Sequence, residues 1–88
     1  MFAPVTVYIH PKCPVSEHLL QILDNAGVEY DAVDVSKNEE DRSYLANVLK
    51  LNPKETPITL TDTHDPIVGI NLAISDLIDY YTASETGL

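Results

Sequence analysis

Val5-Thr6-Val7-Tyr8-Ile9-His10-Pro11-Lys12-Cys13-Pro14-Val15-Ser16 decides how the rest of the chain is read. Its first five residues are β-branched or aromatic, with Pro4 before them and His10-Pro11 after. Apolar side chains at 5, 7 and 9 predict a short buried strand. Pro14 then suits the first position of a helix, where its missing N–H would have no partner anyway. The helix is predicted from about Pro14 to Ala26, with Val15, Leu19, Leu20, Ile22, Leu23 and Ala26 recurring at three- and four-residue spacing. Asn25-Ala26-Gly27 supplies its stop, Gly27 being able to take a left-handed cap. Cys13 therefore sits between a strand's exit and a helix's first turn.

Outward from this unit, Glu29 to Val35 alternates around Asp31 and Asp34 and predicts a second strand. Ser36 or Asn38 can cap a helix whose first turn holds Glu39, Glu40 and Asp41 and whose inner face is Tyr44, Leu45, Val48 and Leu49. A loop over 51–55 leads to a strand at Ile58–Thr61 and another at Pro66–Gly69, joined by the polar turn Asp62-Thr63-His64-Asp65 as a hairpin. Asn71 or Ser75 caps a last helix with Leu72, Ile74, Leu77, Ile78 and Tyr81 facing inward, and Tyr80 and Tyr81 are expected to close the core. The order is β-α-β-α-β-β-α. Right-handed crossovers make the first two strands parallel, so the expected fold is α/β, a four-stranded mixed sheet flanked by helices. A single domain spanning residues 1–88 is expected, with its core at about 5–82 and a frayed tail at 83–88.

Composition narrows the functions available. Five Lys+Arg against fourteen Asp+Glu give a net charge of −9, a sign that disfavours nucleic acid or an anionic membrane as partner. Lys12, Lys37, Arg42, Lys50 and Lys54 are scattered along the chain and form no basic run. An acidic surface fits a soluble monomer. No apolar stretch approaches a membrane span, and Met1-Phe2-Ala3-Pro4 lacks the basic start of a signal peptide. One cysteine excludes an intramolecular disulfide and a multi-cysteine zinc site. A reducing, cytoplasmic setting is the expectation.

Cys13 carries the chemistry. A lone cysteine is most often a small buried hydrophobe, but a helix start offers free N–H groups and a positive dipole end, both of which favour a thiolate. Lys12 beside it adds a cation, and the Ser16 hydroxyl one turn on can donate to the sulfur. The second marked feature is Thr56-Pro57, directly before the third strand, where a cis peptide would turn the backbone of Thr56 outward beside the sulfur. His10, Cys13 and His18 fall on different faces and predict no metal site.

Taken together, the strand, Cys13-Pro14-Val15-Ser16 at a helix start, Val28-Glu29-Tyr30 leading to Asp34-Val35, Thr56-Pro57 and the Gly69 turn into the last helix resemble the glutaredoxin family of the thioredoxin fold over nearly the whole chain. The resemblance implies a thioredoxin-like fold, Cys13 as nucleophile with Ser16 beside it, and a cis Pro57. It also implies glutathione as co-substrate, in a groove made by Lys12, Pro14, Val15, Thr56, Pro57 and the Gly69-Ile70-Asn71 turn. Protein–glutathione mixed disulfides are then the partners.

This chain departs from the family's pattern at several positions. Ser16 stands where a second cysteine is usual, so any exchange runs on one thiol. His10 replaces a lysine, and Gly69-Ile70-Asn71-Leu72-Ala73 replaces a double glycine followed by acids. Pro14 and Val15 occupy the glycine and phenylalanine positions of the iron–sulfur type. The reading is a glutathione-dependent thiol–disulfide oxidoreductase of monothiol type. Two alternatives stay open: a module in which two copies hold a [2Fe–2S] cluster with one Cys13 and one glutathione thiol each, and a redox-silent interaction domain.

Overall fold

The computed structural model describes residues 4–52 and 54–83. β1 (Val5–Ile9) leads into α1 (Pro14–Ala26), β2 (Tyr30–Asp34), a short α2 (Glu39–Ser43) continued by a π-helical turn (Tyr44–Val48), β3 (Ile58–Thr61), β4 (Ile67–Val68) and α3 (Leu72–Ala83). The strands form one sheet in the order β2-β1-β3-β4. β1 runs parallel to β2, with Val5 opposite Tyr30, and antiparallel to β3, with Val5 opposite Thr61. β3 and β4 pair antiparallel, so the expected hairpin is present. The expected mixed sheet and element order are thus both observed. Residues 84–88 of the expected tail and Met1 to Ala3 lie outside the described residues. Among those described, no helix is long and apolar enough to cross a membrane.

Alternation along β1 sends its side chains to two separate cores. Val5 and Val7 are fully buried against Leu19 and Leu23 of α1 and Ile74 and Leu77 of α3. Tyr8 points the other way, to Val35, Leu45 and Ile58. α1 and α3 therefore cover one face, and the segment containing the π turn covers the other.

α1 ends at Gly27, whose φ of +77° is the left-handed cap expected from its sequence. Its N–H donates to the carbonyl of Asp24 at 3.1 Å, and the N–H of Val28 to that of Leu23 at 3.0 Å. A Cβ on Gly27 would meet nothing within 4 Å, so a substitution there is opposed by backbone conformation alone. Alanine incurs about 1–2 kcal/mol in this region, partly offset by about 0.4–1 kcal/mol from a stiffer unfolded chain. Gly27→Ala is therefore expected to lower stability by about 1 kcal/mol, read as a drop in urea midpoint at unchanged slope.

Several sequence expectations are corrected by the packing. Of the four residues placed on the inner face of the second helix, Leu45 is buried and Leu49 half-buried, while Tyr44 and Val48 are exposed. The cause is the π turn, in which the N–H of Leu49 donates to the carbonyl of Tyr44 at 3.2 Å; its wider spacing leaves only a narrow inward stripe. Asn38 precedes α2 without a side-chain cap. Its amide donates instead to the carbonyl of Asp34 at 2.8 Å. The Asp34 carboxylate accepts the N–H of Ser36 at 2.9 Å and its hydroxyl at 2.6 Å, so this turn is organised by Asp34.

Asn71, rather than Ser75, caps α3, its Oδ1 accepting the N–H of Ala73 at 2.9 Å. Leu72, expected inside, is 85% exposed because it lies two residues before buried Ile74, about 200° around the helix. Tyr80 is exposed as well, edge-on to His64 at 5.2 Å, and does not close the core. On α1, Val15 is exposed and Ser16 takes the inward position. β4 is shorter than expected, spanning only Ile67–Val68.

Candidate active site

β1 delivers the chain to a tight loop, and α1 begins immediately after it. Within that loop the N–H of Cys13 donates to the carbonyl of His10 at 3.1 Å. Cys13 is the N-cap residue of α1, with extended backbone (φ −103°, ψ 106°), and Pro14 follows at the start of the helix. The carbonyl of Cys13 accepts the N–H of Glu17 at 3.3 Å, closing the first helical turn. The thiol is half-buried and unbonded to other sulfur. It donates to the carbonyl oxygen of Thr56 at 3.5 Å, which joins the start of α1 to the segment entering β3. The Thr56–Pro57 peptide is cis, and Pro57 is buried.

The Cys13 thiol is held below the ordinary cysteine value. The Ser16 hydroxyl is the largest cause; burial opposes it, and the N–H of Ser16, the side chain of Thr56 and the N–H of Val15 add to the lowering. Every group that lowers it is a hydrogen-bond donor at the helix start or the facing loop. The Lys12 charge invoked from the sequence is not among them, in keeping with a side chain exposed to solvent and screened.

Ser16 is 1% exposed, and its Oγ has no hydrogen-bond partner. A sulfur accepts a hydrogen bond more strongly as a thiolate than as a thiol, so ionisation of Cys13 offers this hydroxyl a better acceptor. An unpartnered buried hydroxyl costs about 1–3 kcal/mol, and ionisation of Cys13 relieves that cost.

Ser16→Ala is accordingly expected to act in two opposite directions. Stability at mildly acid pH should stay level or rise by up to about 1 kcal/mol, because an orphaned hydroxyl is removed from a helix. The pH midpoint of Cys13 alkylation by iodoacetamide, below the ordinary thiol value in the parent, should move up. The sign for folding follows from the same depressed pKa. In the parent, thiolate stabilisation is fully present above the pKa of the unfolded thiol and is lost as pH falls through the lower folded value.

A groove of about 560 Å³ opens beside the sulfur, lined by His10, Lys12, Cys13, Pro14, Val35, Ser36, Arg42, Lys54 and Thr56. Of the residues expected to contact glutathione, Lys12, Pro14 and Thr56 are brought to it. Val15, Pro57, Gly69, Ile70 and Asn71 are not among its lining. Pro57 and Gly69 are nevertheless adjacent, the N–H of Gly69 donating to the carbonyl of Pro57 at 2.8 Å. Asn71 lines a different cavity, with Val68 and Asp76.

The groove corrects the view that the basic residues are scattered. Three of the five Lys+Arg, namely Lys12, Arg42 and Lys54, meet here, and no Asp or Glu lines it. Arg42 and Lys54 were not singled out in the sequence, since nothing local marks them. Only the pairing of β1 with both β2 and β3 brings α2 and the loop before β3 to the same side of Cys13. One cysteine supplies one thiolate of the four that a [2Fe–2S] cluster takes. Among the described residues no group of three or more His, Cys, Asp and Glu is placed to hold a metal ion. Cys13 is the one cysteine a chain could bring to such a cluster, and it faces a groove lined by cations.

Residues 5–57 match the protein-family model described as Glutaredoxin. The gene 56 protein of Mycobacterium phage D29 is 47% identical over the whole of this chain and 97% of its own length. The gene 56 protein of Mycobacterium phage L5 is 49% identical over the whole of this chain and 84% of its own. Among solved structures, wheat glutaredoxin superposes with a TM-score of 0.72 at 20% identity, covering 92% of this chain and 80% of that one. The thioredoxin-like protein BC3987 superposes with a TM-score of 0.71 at 23% identity, covering 84% and 97%. At these identities the two structures establish the thioredoxin-like fold.

Proposed function

The chain belongs to the glutaredoxin family, and we propose that it performs thiol–disulfide exchange by a one-thiol cycle with glutathione as co-substrate. The observation that supports this reading best is the Cys13 thiol itself: lowered in pKa, at a helix N-cap, and facing Thr56 at 3.5 Å beside a cationic groove.

In the first step the Cys13 thiolate attacks the glutathione sulfur of a protein–glutathione mixed disulfide. A Cys13–glutathione disulfide forms, the original S–S bond breaks, and the protein thiolate leaves and takes a proton from water. The donors that lower the Cys13 pKa raise the thiolate fraction available for this attack. In the second step the thiolate of a free glutathione attacks the glutathione sulfur on Cys13, releasing oxidised glutathione and restoring the Cys13 thiolate. Ser16 carries no sulfur, so the second thiol comes from outside the chain. The glutathione carboxylates are drawn to the side of the groove that holds Lys12, Arg42 and Lys54. A cycle that consumes reduced glutathione fits the reducing cytoplasm.

Exposure to oxidised glutathione tests the reading directly. Mass spectrometry of the intact chain should show one added glutathionyl group, absent in Cys13→Ser. A parent chain that gains no mass would overturn it.

A further inference from the structure

We propose that the chain carries a second docking site, remote from Cys13, for a basic segment of a protein partner. An apolar side chain of that segment enters a cavity between the π turn and the sheet, and a Lys or Arg beside it meets Asp62.

On the α2 face of the sheet, Leu45 closes over Tyr8 and Ile58. Farther back along β1 this cover runs out. Thr6, two residues before Tyr8 and so on the same face, stands opposite Leu60 of β3, and both line a cavity of about 400 Å³. Tyr44 opens the π turn, Leu49 follows it, and both line the same cavity. Pro4 and Pro66 complete its apolar lining. The π turn also leaves Tyr44 and Val48 44% and 62% exposed, so apolar side chains of this segment remain without a partner. The volume falls within the range of about 300–1,000 Å³ usual for binding pockets.

Charge selects the partner. Among the described residues that line the cavity, Asp62 is the only charged one. It begins a turn pinned at two points. The N–H of His64 donates to Thr61 Oγ1 at 2.9 Å, and Thr63 Oγ1 lies 2.9 Å from the Tyr81 hydroxyl of α3. Asp41, one turn before Tyr44, and Asp65, beside Pro66, add negative charge, against Lys50 beside Leu49. Fourteen Asp+Glu stand against five Lys+Arg in the whole chain, and three of those five line the groove at Cys13. A basic segment is therefore attracted to this end of the sheet, whereas a second copy of the chain would bring like charge to Asp62. The cavity and the groove share no lining residue. Thr6 and His10 are about 13 Å apart along the strand direction, so a segment bound here leaves Cys13 accessible.

Two cysteine-free heptapeptides, blocked at both ends, test the site by NMR titration of the parent chain. Both read Gly-Ser-Leu-X-Leu-Ser-Gly, with arginine as X in one and glutamate in the other. The arginine peptide should shift the amides of Thr6, Leu49, Leu60 and Asp62 and bind at least about threefold more tightly than the glutamate peptide. Tyr44→Ala should weaken its binding about tenfold and Asp62→Asn about threefold. Turnover of a glutathionylated peptide without basic residues should stay at the parent level in both variants. Equal binding of the two peptides, shifts centred on the groove at Cys13, or a dimer of the chain giving the same shifts without peptide would each overturn the inference. So would binding that appears only in Phe2→Ala, which would assign the cavity to the chain's own first residues.

Discussion

Replacing Cys13 by serine is expected to reduce thiol–disulfide exchange to the uncatalysed background while the fold is retained. The chain has no other cysteine, and a hydroxyl oxygen cannot form the mixed disulfide through which exchange proceeds. The helix-start donors that hold the Cys13 pKa down have no comparable effect on a serine, whose hydroxyl stays protonated throughout the physiological range. Cys13 is half-buried at the surface, and its thiol donates one long hydrogen bond, to the carbonyl of Thr56 at 3.5 Å. Stability should therefore change by about 0.5 kcal/mol or less. Turnover of a glutathionylated peptide, measured beside circular dichroism and thermal melting, checks both halves. Residual turnover well above background in a folded Cys13→Ser variant would remove Cys13 from the centre of the mechanism.

Leu19→Ala is expected to be among the most damaging single changes to stability. Leu19 is fully buried where α1 meets β1 and α3, in contact with the core that holds Val5, Val7, Leu23 and Leu77. Truncation there removes apolar contact and leaves a cavity, a loss of about 2–5 kcal/mol. Against a total of about 5–15 kcal/mol for a native domain, that is a large share. A chain of this size loses about 4–8 °C in Tm per kcal/mol, so the melting point should fall by about 10 °C or more. Because α1 carries Cys13 at its start, a partly unfolded population should also react with iodoacetamide with its pH midpoint shifted up toward the ordinary thiol value. A melting point within 2–3 °C of the parent, less than about 1 kcal/mol on that scale, would show that the α1 face contributes little to the core.

Legibility in the sequence varied with the distance over which each feature is determined. α1, its proline start and its Gly27 cap were readable because each depends on residues within about one helical turn. β1 and β3 were readable because strict alternation on a half-buried sheet leaves a clear mark. The second helix was misjudged at Tyr44 and Val48, where the chain widens into a π turn that apolar spacing does not announce. Leu72 and Tyr80 were misjudged because burial at the ends of a helix depends on what lies opposite, and both side chains stay exposed. At the site, Cys13, Ser16 and Thr56 came from local pattern and family resemblance. Arg42 and Lys54 did not, since a lone arginine on an acidic helix and a lysine in a loop look like ordinary solvated charges.

The sequence by itself determined where the cysteine sits and that there is one. Strand, tight loop, N-cap cysteine and proline are set by neighbours in the chain, and with one cysteine the proposed exchange takes its second thiol from outside. The tertiary structure decided what surrounds that sulfur. The order β2-β1-β3-β4 folds segments from both sides of β1 against one loop, so Arg42, Lys54 and Thr56 meet Cys13 from distant parts of the chain. The same packing buries the Ser16 hydroxyl and ties Asn71 to its own backbone. Electrostatic and hydrogen-bonding environment acts through space over a few ångströms, and only the folded sheet brings these residues within that range.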